Sequence, residues 1–244
     1  MTALGVGGAT VLGAAAGFVF KNIAMKYKGT VLGAAVGVML AASVFSLVIP
    51  SLETGGELAA MTAALGILIG GASIDFLDRI VRLPYTAAFS KSEDGTDCAK
   101  RRALLFVLAI AVHNLPEGIA AGVGFGTGNT SDALMIAGGI ALQNVPEGMV
   151  LIAPMLSAGF SPQKTFFLAA MTGAVEIVGA ALGYFAVSIV TEILGFALAF
   201  AAGCMLYVIF DEMIPEMRED GNVKAANYAA LAAFSAMLIF NSMF

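Results

Sequence analysis

The chain has 244 residues, of which 59% are hydrophobic and 12% charged, and its mean hydropathy of +0.93 lies far outside the range of water-soluble domains. A formal charge of −5 and a pI near 4.8 leave no basic surface to neutralise phosphates, which excludes nucleic acid as a partner. A hydrocarbon core roughly 30 Å thick takes about 20 mostly apolar residues per helix, so this length accommodates about eight spans and little else.

The apolar runs fall at 2–20, 30–50, 57–81, 102–126, 131–156, 163–190, 193–214 and 224–243, separated by polar or Gly/Pro-containing breaks. The first run, MTALGVGGATVLGAAAGFVF, has no basic residue ahead of it and is read as a span, not as a cleaved leader. Lys21, Lys26 and Lys28 follow span one, and Arg79, Arg82, Lys91, Lys100, Arg101 and Arg102 cluster after span three. Lys164 follows span five, and Arg218 and Lys224 follow span seven, which accounts for all 12 basic residues. The remaining breaks carry Glu53, Glu57, Asp132 and Glu192 without a basic residue, so the positive-inside rule puts both termini on the extracytoplasmic side. Lacking eukaryotic-style targeting signals, the chain is expected in a cell inner (plasma) membrane as one transmembrane domain spanning 1–244. The polar stretch from about 82 to 102, through SKSEDGTDCAK, reads as a mobile cytoplasmic loop. Cys98 and Cys204 sit in unlike settings and read as free thiols. Small residues such as Gly33, Gly37 and Ala41, or Gly66, Gly70 and Ser73, let helices approach closely. They are compatible with a homodimer and equally with packing inside one subunit.

Spans four and five contain the residues that the lipid setting makes expensive, since an acidic or basic side chain at a span's centre costs about 2.5–3.5 kcal/mol on insertion scales. Span four carries His113-Asn114-Leu115-Pro116-Glu117-Gly118 and span five carries Gln143-Asn144-Val145-Pro146-Glu147-Gly148, two versions of one hexapeptide. With the hairpin tip near Asn129 to Asp132, Glu117 and Glu147 lie roughly 18 and 22 Å along their helices, at similar depth near the midplane. In each hexapeptide the first residue and the glutamate are i and i+4, and the asparagine and glutamate i and i+3, on one helical face. Pro116 and Pro146 cannot donate to the carbonyls of Val112 and Leu142, which need another partner in lipid. Imidazole nitrogen with carboxylate oxygen suits zinc and other divalent first-row metals, and two glutamates neutralise one such ion. Glu176 adds an acid inside span six, and Asp211, Glu212 and Glu216 end span seven beside Pro215. Met39 in span two has Ser43 and Ser46 on its face and is a softer candidate donor.

The HNLPEG and QNVPEG pair, the glutamate in the next span and the acidic xExxPE ending the span after that resemble the ZIP family (Zrt/Irt-like proteins) of divalent metal transporters, especially its bacterial members. The likeness runs over the whole chain. It implies an all-α membrane protein of eight spans in a 3+2+3 arrangement, with spans 1–3 and 6–8 as inverted repeats around spans 4 and 5, and alternating access at a midplane site. It implies a main metal site of His113, Glu117, Gln143, Glu147 and Met39, and a second site of Asn114, Asn144 and Glu176. Ser46 and Glu53 would lie toward the outer entrance, and Asp211 and Glu212 on the inner exit path. Many relatives have a second histidine where Gln143 stands, many bacterial ones an aspartate where Asn144 stands, and several a histidine-rich loop after span three. Here His113 is the only histidine. The second site is therefore one carboxylate short, and discrimination among zinc, cadmium, iron, manganese and cobalt is expected to be less sharp. The metal is cargo, and no cofactor is expected. The membrane potential, negative inside, favours entry into the cytoplasm. No GxxxxGK[ST] loop is present for ATP-driven pumping. Two other classes use the same residues: an intramembrane metal hydrolase, whose expected HExxH is absent, and a proton or organic-solute carrier with the glutamates as relays.

Overall fold

The computed structural model describes residues 2–54, 56–89, 95–126, 130–189, 193–219 and 222–242. They are almost entirely helical: α1 (Thr2–Lys26), α2 (Lys28–Ala41), α3 (Ile49–Thr54), α4 (Ala59–Phe89), α5 (Gly95–Gly126), α6 (Thr130–Ser157), α7 (Pro162–Ile189), α8 (Leu194–Val208), α9 (Ile214–Arg218) and α10 (Val223–Ser242). Among the described residues six segments are long and apolar enough to cross a membrane: Lys28–Glu53, Ala59–Ile80, Ala99–Gly126, Ile136–Ser157, Pro162–Val187 and Leu194–Arg218. Two shorter apolar helices, Leu4–Phe20 and Val223–Ile239, stand where the first and eighth spans were expected. Of the residues that set the expected topology, Lys91, Asn129 and Glu192 lie outside the described residues, as do the side chains of Lys21, Arg82, Arg102 and Asp132. The thiol of Cys98 does too, whereas Cys204 is free and buried, as expected.

The polar segment after the third span departs from its expected form. Helix α4 continues to Phe89 and α5 begins at Gly95, so most of 82–102 is helix and not loop. The residues CAKRRALL include strong helix formers, and the adjoining spans supply the nucleus from which a helix extends cheaply.

Two helices change geometry partway along. A π-helical turn, Ala42–Val48, joins α2 to α3, and another, Ile209–Met213, joins α8 to α9. Each closes on an i→i−5 bond, Ile49 N–H to the Val44 carbonyl and Ile214 N–H to the Ile209 carbonyl, one residue before a proline. Pro50 and Pro215 have no N–H for the carbonyls of Ser46 and Asp211, and a wider turn absorbs the mismatch.

Among the described residues the eight longer helices pack in two groups of four, with α3 and α9 continuing α2 and α8 beyond the π-turns. Helix α1 lies along α6 and α7, and α5 along α7; separately, α4 lies along α8 and α2 along α10. Glycine sets the closeness within each group. A Cβ on Gly118 would meet the backbone of Glu176, one on Gly13 that of Val145 and one on Gly148 that of Thr10. In the second group, Gly33 and Gly37 meet the backbones of Ala226 and Ala230, and Gly70 and Gly203 those of Phe200 and Ile67. The small-residue faces are thus used for packing within the chain. Between the groups α2 meets α6 and α5 meets α8, and Gly139 of α6 faces the tip of Met237 in α10 and the methyl of Ala42 in the first π-turn.

Candidate metal centre

The expected midplane residues of α5 and α6 come together. Asn114, Glu117, Gln143 and Asn144 have no exposed surface and Glu147 only 2%. Gln143 donates from Nε2 to Glu117 Oε1 at 2.5 Å, so the two hexapeptides meet side by side, consistent with their similar distances from the hairpin tip. Gly118 and Gly148, the last residue of each hexapeptide, allow this by letting α7 and α1 close in on α5 and α6. Pro116 and Pro146 sit inside continuous helices.

Among the described residues, five buried oxygens in this cluster accept no hydrogen bond: Asn114 Oδ1, Glu117 Oε2, Gln143 Oε1, Asn144 Oδ1 and Glu147 Oε1. All five are acceptors, and all come from the two hexapeptides. A buried acceptor without a donor costs about 1–3 kcal/mol, more when charged. Five together make a concentration of negative potential that suits a cation, and the two glutamates match a divalent charge.

Glu176, from α7, is arranged differently. Its Oε1 accepts from Thr10 Oγ1 at 2.6 Å and from Asn114 Nδ2 at 2.7 Å, and its Oε2 accepts from Asn144 Nδ2 at 2.6 Å. Asn144 Nδ2 also donates to the Val6 carbonyl at 3.3 Å. The family resemblance grouped Glu176 with the two asparagines; neither it nor the residue pattern indicated Thr10 and Val6, which α1 brings in. The one available signal was a threonine alone in a Gly/Ala-rich stretch.

The other expected residues are more dispersed. Met39 is 1% exposed and belongs to the larger apolar cluster, which also includes Val112, Ala120, Ile136 and Ile140 of α5 and α6, and its carbonyl accepts from Ser43 Oγ at 2.8 Å. Ser46 is buried in the first π-turn, while Glu53 is exposed near the end of α3. Asp211 is exposed and Glu212 half-buried in the second π-turn. The side chain of His113 lies outside the described residues. Among the described residues, which leave out the side chain of His113, no three His, Cys, Asp or Glu side chains gather at metal-holding spacing.

The sequence profile described as ZIP zinc transporter matches residues 87–241, which include both hexapeptides, Glu176 and the second π-turn. Over 96% of this chain and 94% of its own length, "Zinc transporter GufA" of Myxococcus xanthus is 37% identical. The chain belongs to the ZIP family. A second ZIP relative, "Zinc transporter ZIPB" of Bordetella bronchiseptica, is 34% identical over 96% of this chain and 77% of its own. A third, "Zinc transporter ZIP11" of Bos taurus, is 33% identical over 95% and 92%. These ZIP proteins are named as transporters and not as enzymes, and in a transporter the metal is substrate rather than cofactor.

Proposed function

We propose that this ZIP protein carries divalent transition-metal ions, zinc foremost and cadmium, iron or manganese with less discrimination, into the cytoplasm. The observation that carries this reading is the set of five donor-less oxygens on the repeated hexapeptides, with the zinc transporter names of the relatives beside it. His113, Glu117, Gln143, Glu147 and Met39 hold the ion at the midplane, Met39 as a thioether from α2. Ser46 and Glu53 lie on the way in, and Asp211 and Glu212 on the way out. Both termini are extracytoplasmic, and the whole chain is one transmembrane domain of eight spans in an inner membrane.

The packing supports a 3+2+3 arrangement with inverted repeats. Exchanging the first three spans for the last three, and span four for span five, converts the α1/α6 pair into α7/α5 and the α4/α8 pair into α10/α2, which are the four most extensive helix pairings among the described residues. The same exchange relates the two π-turns. The grouping supports alternating access, in which α1, α5, α6 and α7 carry the polar site and move against α2, α4, α8 and α10, exposing it to one side and then the other.

The test is uptake of zinc and cadmium into proteoliposomes loaded with a metal-sensitive dye. Wild type gives saturable uptake, and Glu147→Ala in folded protein loses it by about 100-fold or more, because one carboxylate then faces a divalent ion in a low-dielectric site. Metal-independent flux of protons or solute, with no metal uptake, would replace this reading with the proton or solute carrier.

A further inference from the structure

Two carboxyl environments lie side by side at the midplane. Glu117 and Glu147 each keep an oxygen without a donor, whereas both oxygens of Glu176 are occupied by three donors from three helices. A carboxylate offers about four lone-pair directions, and three of those at Glu176 already point at N–H or O–H hydrogens. A cation approaching Glu176 would meet the positive ends of these dipoles. What the carboxyl does accomplish concerns the carboxamides. The Nδ2 and Oδ1 of an asparagine lie on opposite branches of a planar group, so tying Nδ2 to Glu176 turns Oδ1 away from it. Both Asn114 Oδ1 and Asn144 Oδ1 are buried and without donors, on the helical face that carries Glu117 and Glu147. Without the fixed acceptor each amide could rotate and aim hydrogens at the site.

We infer that Glu176 is a positioning residue and not a metal ligand: it holds the amides of Asn114 and Asn144 so that only their oxygens face the ion path, and the midplane binds one metal ion. Thr10 supports it from α1, fixing the carboxyl across the α1/α7 contact where Gly7 and Gly173 meet. The amide at position 144 replaces a second ion: its N–H group supplies to Glu176 the positive partner that a metal would otherwise provide. This inference rests on the midplane being a metal site, and the measurements separate its failure from the failure of that reading.

Zinc bound per chain is counted by mass spectrometry of the metal and by titration, on full-length protein in detergent shown to be monodisperse. Wild type binds one midplane ion. Glu176→Gln still binds one, but about tenfold more weakly, since the new amide forces one asparagine to turn its oxygen inward and a hydrogen toward the ion, a loss comparable with one good hydrogen bond. Asn144→Asp removes one of the three donors, opposes a second carboxyl to Glu176, and raises the count to two. Two ions on wild type falling to one in Glu176→Gln would make Glu176 a ligand and overturn the inference, and so would an Asn144→Asp count that stayed at one. A wild-type count of zero would instead remove the midplane metal site, and this inference with it. If Asn144→Asp does not fold, the Glu176→Gln count alone decides between ligand and positioning residue.

Discussion

The two four-helix groups are built alike and furnished differently. In each, glycines bring helix backbones into contact, at Gly13, Gly118 and Gly148 in one and at Gly33, Gly37 and Gly70 in the other. The buried polar cluster lies in the first, across α1, α5, α6 and α7. The second contributes apolar residues such as Leu32, Leu198, Cys204 and Met205 and the two π-turns, and Cys204 needs only the Gly70 carbonyl, 3.2 Å away, to satisfy its thiol. The costly polar cluster lies in one closely packed group, and the changes in helical geometry fall in the other. Close glycine-to-backbone contacts within each group are expected of bodies that move as units, because lipid offers no hydrophobic driving force and such contacts do the holding.

The largest effect that would break this comparison is a covalent bond between the groups. A Cβ placed on Gly139 of α6 lies 3.8 Å from the Cβ of Ala42 in the first π-turn, the separation typical of a disulfide. In a background lacking Cys98 and Cys204, the Ala42→Cys/Gly139→Cys pair is expected to stop metal uptake when oxidised and to recover it on reduction, with each single variant active. Full uptake by the oxidised pair would show that the groups need not move past one another.

A smaller effect sharpens the likeness between the groups. Gly118→Ala and Gly37→Ala each push a methyl into a neighbouring backbone, at Glu176 and at Ala230, and each is expected to cost about 1–3 kcal/mol of stability by overpacking. Thermal melts in detergent should therefore move together. Uptake should not: Gly118→Ala displaces the Glu176 segment and raises the KM for zinc, while Gly37→Ala leaves KM unchanged. Equal changes in KM would mean that the polar group is not set apart from its neighbour.

The sequence makes the site more legible than its setting. The duplication of a costly hexapeptide singled out Glu117, Gln143 and Glu147 before any geometry, and the similar distances of Glu117 and Glu147 from the hairpin tip are consistent with the Gln143–Glu117 contact. Most helices were visible as apolar runs. The grouping was not, because α1 joins α6 and α7 through contacts more than a hundred residues apart, and glycine at Gly7 or Gly173 looks the same whether its partner is one helix or another. Thr10 was missed for that reason: its value to Glu176 exists only once α1 and α7 touch. Prolines 50 and 215 were signals that the helices change there, but a proline in a span is compatible with a kink, a break or a wide turn, and the i→i−5 bonds at Ile49 and Ile214 decide among these.

The smallest expected effect concerns an ion pair that the charge pattern did not anticipate. Lys28, at the start of α2, pairs with Glu216 of α9, and both side chains are about a quarter exposed, at 25% and 26%. The pair ties two elements of the second group, yet it borders a cavity of about 570 Å³ whose other walls, at Ala103, Phe106, Pro154 and Ser157, belong to α5 and α6. Lys28 Nζ lies 5.7 Å from the centre of the Phe106 ring, so its charge touches both groups. If the pair only secures the second group, Lys28→Met costs about 0.2–1 kcal/mol of stability, as partly exposed pairs do, and changes uptake less than twofold. If the ammonium restrains the groups against each other, the same variant changes Vmax by more than the melt shift accounts for, and Phe106→Leu, which removes only the ring face, reproduces part of that change. The comparison of the two groups predicts the first outcome, since a single weak cation–ring contact across the cavity is small beside the glycine contacts that hold each group together.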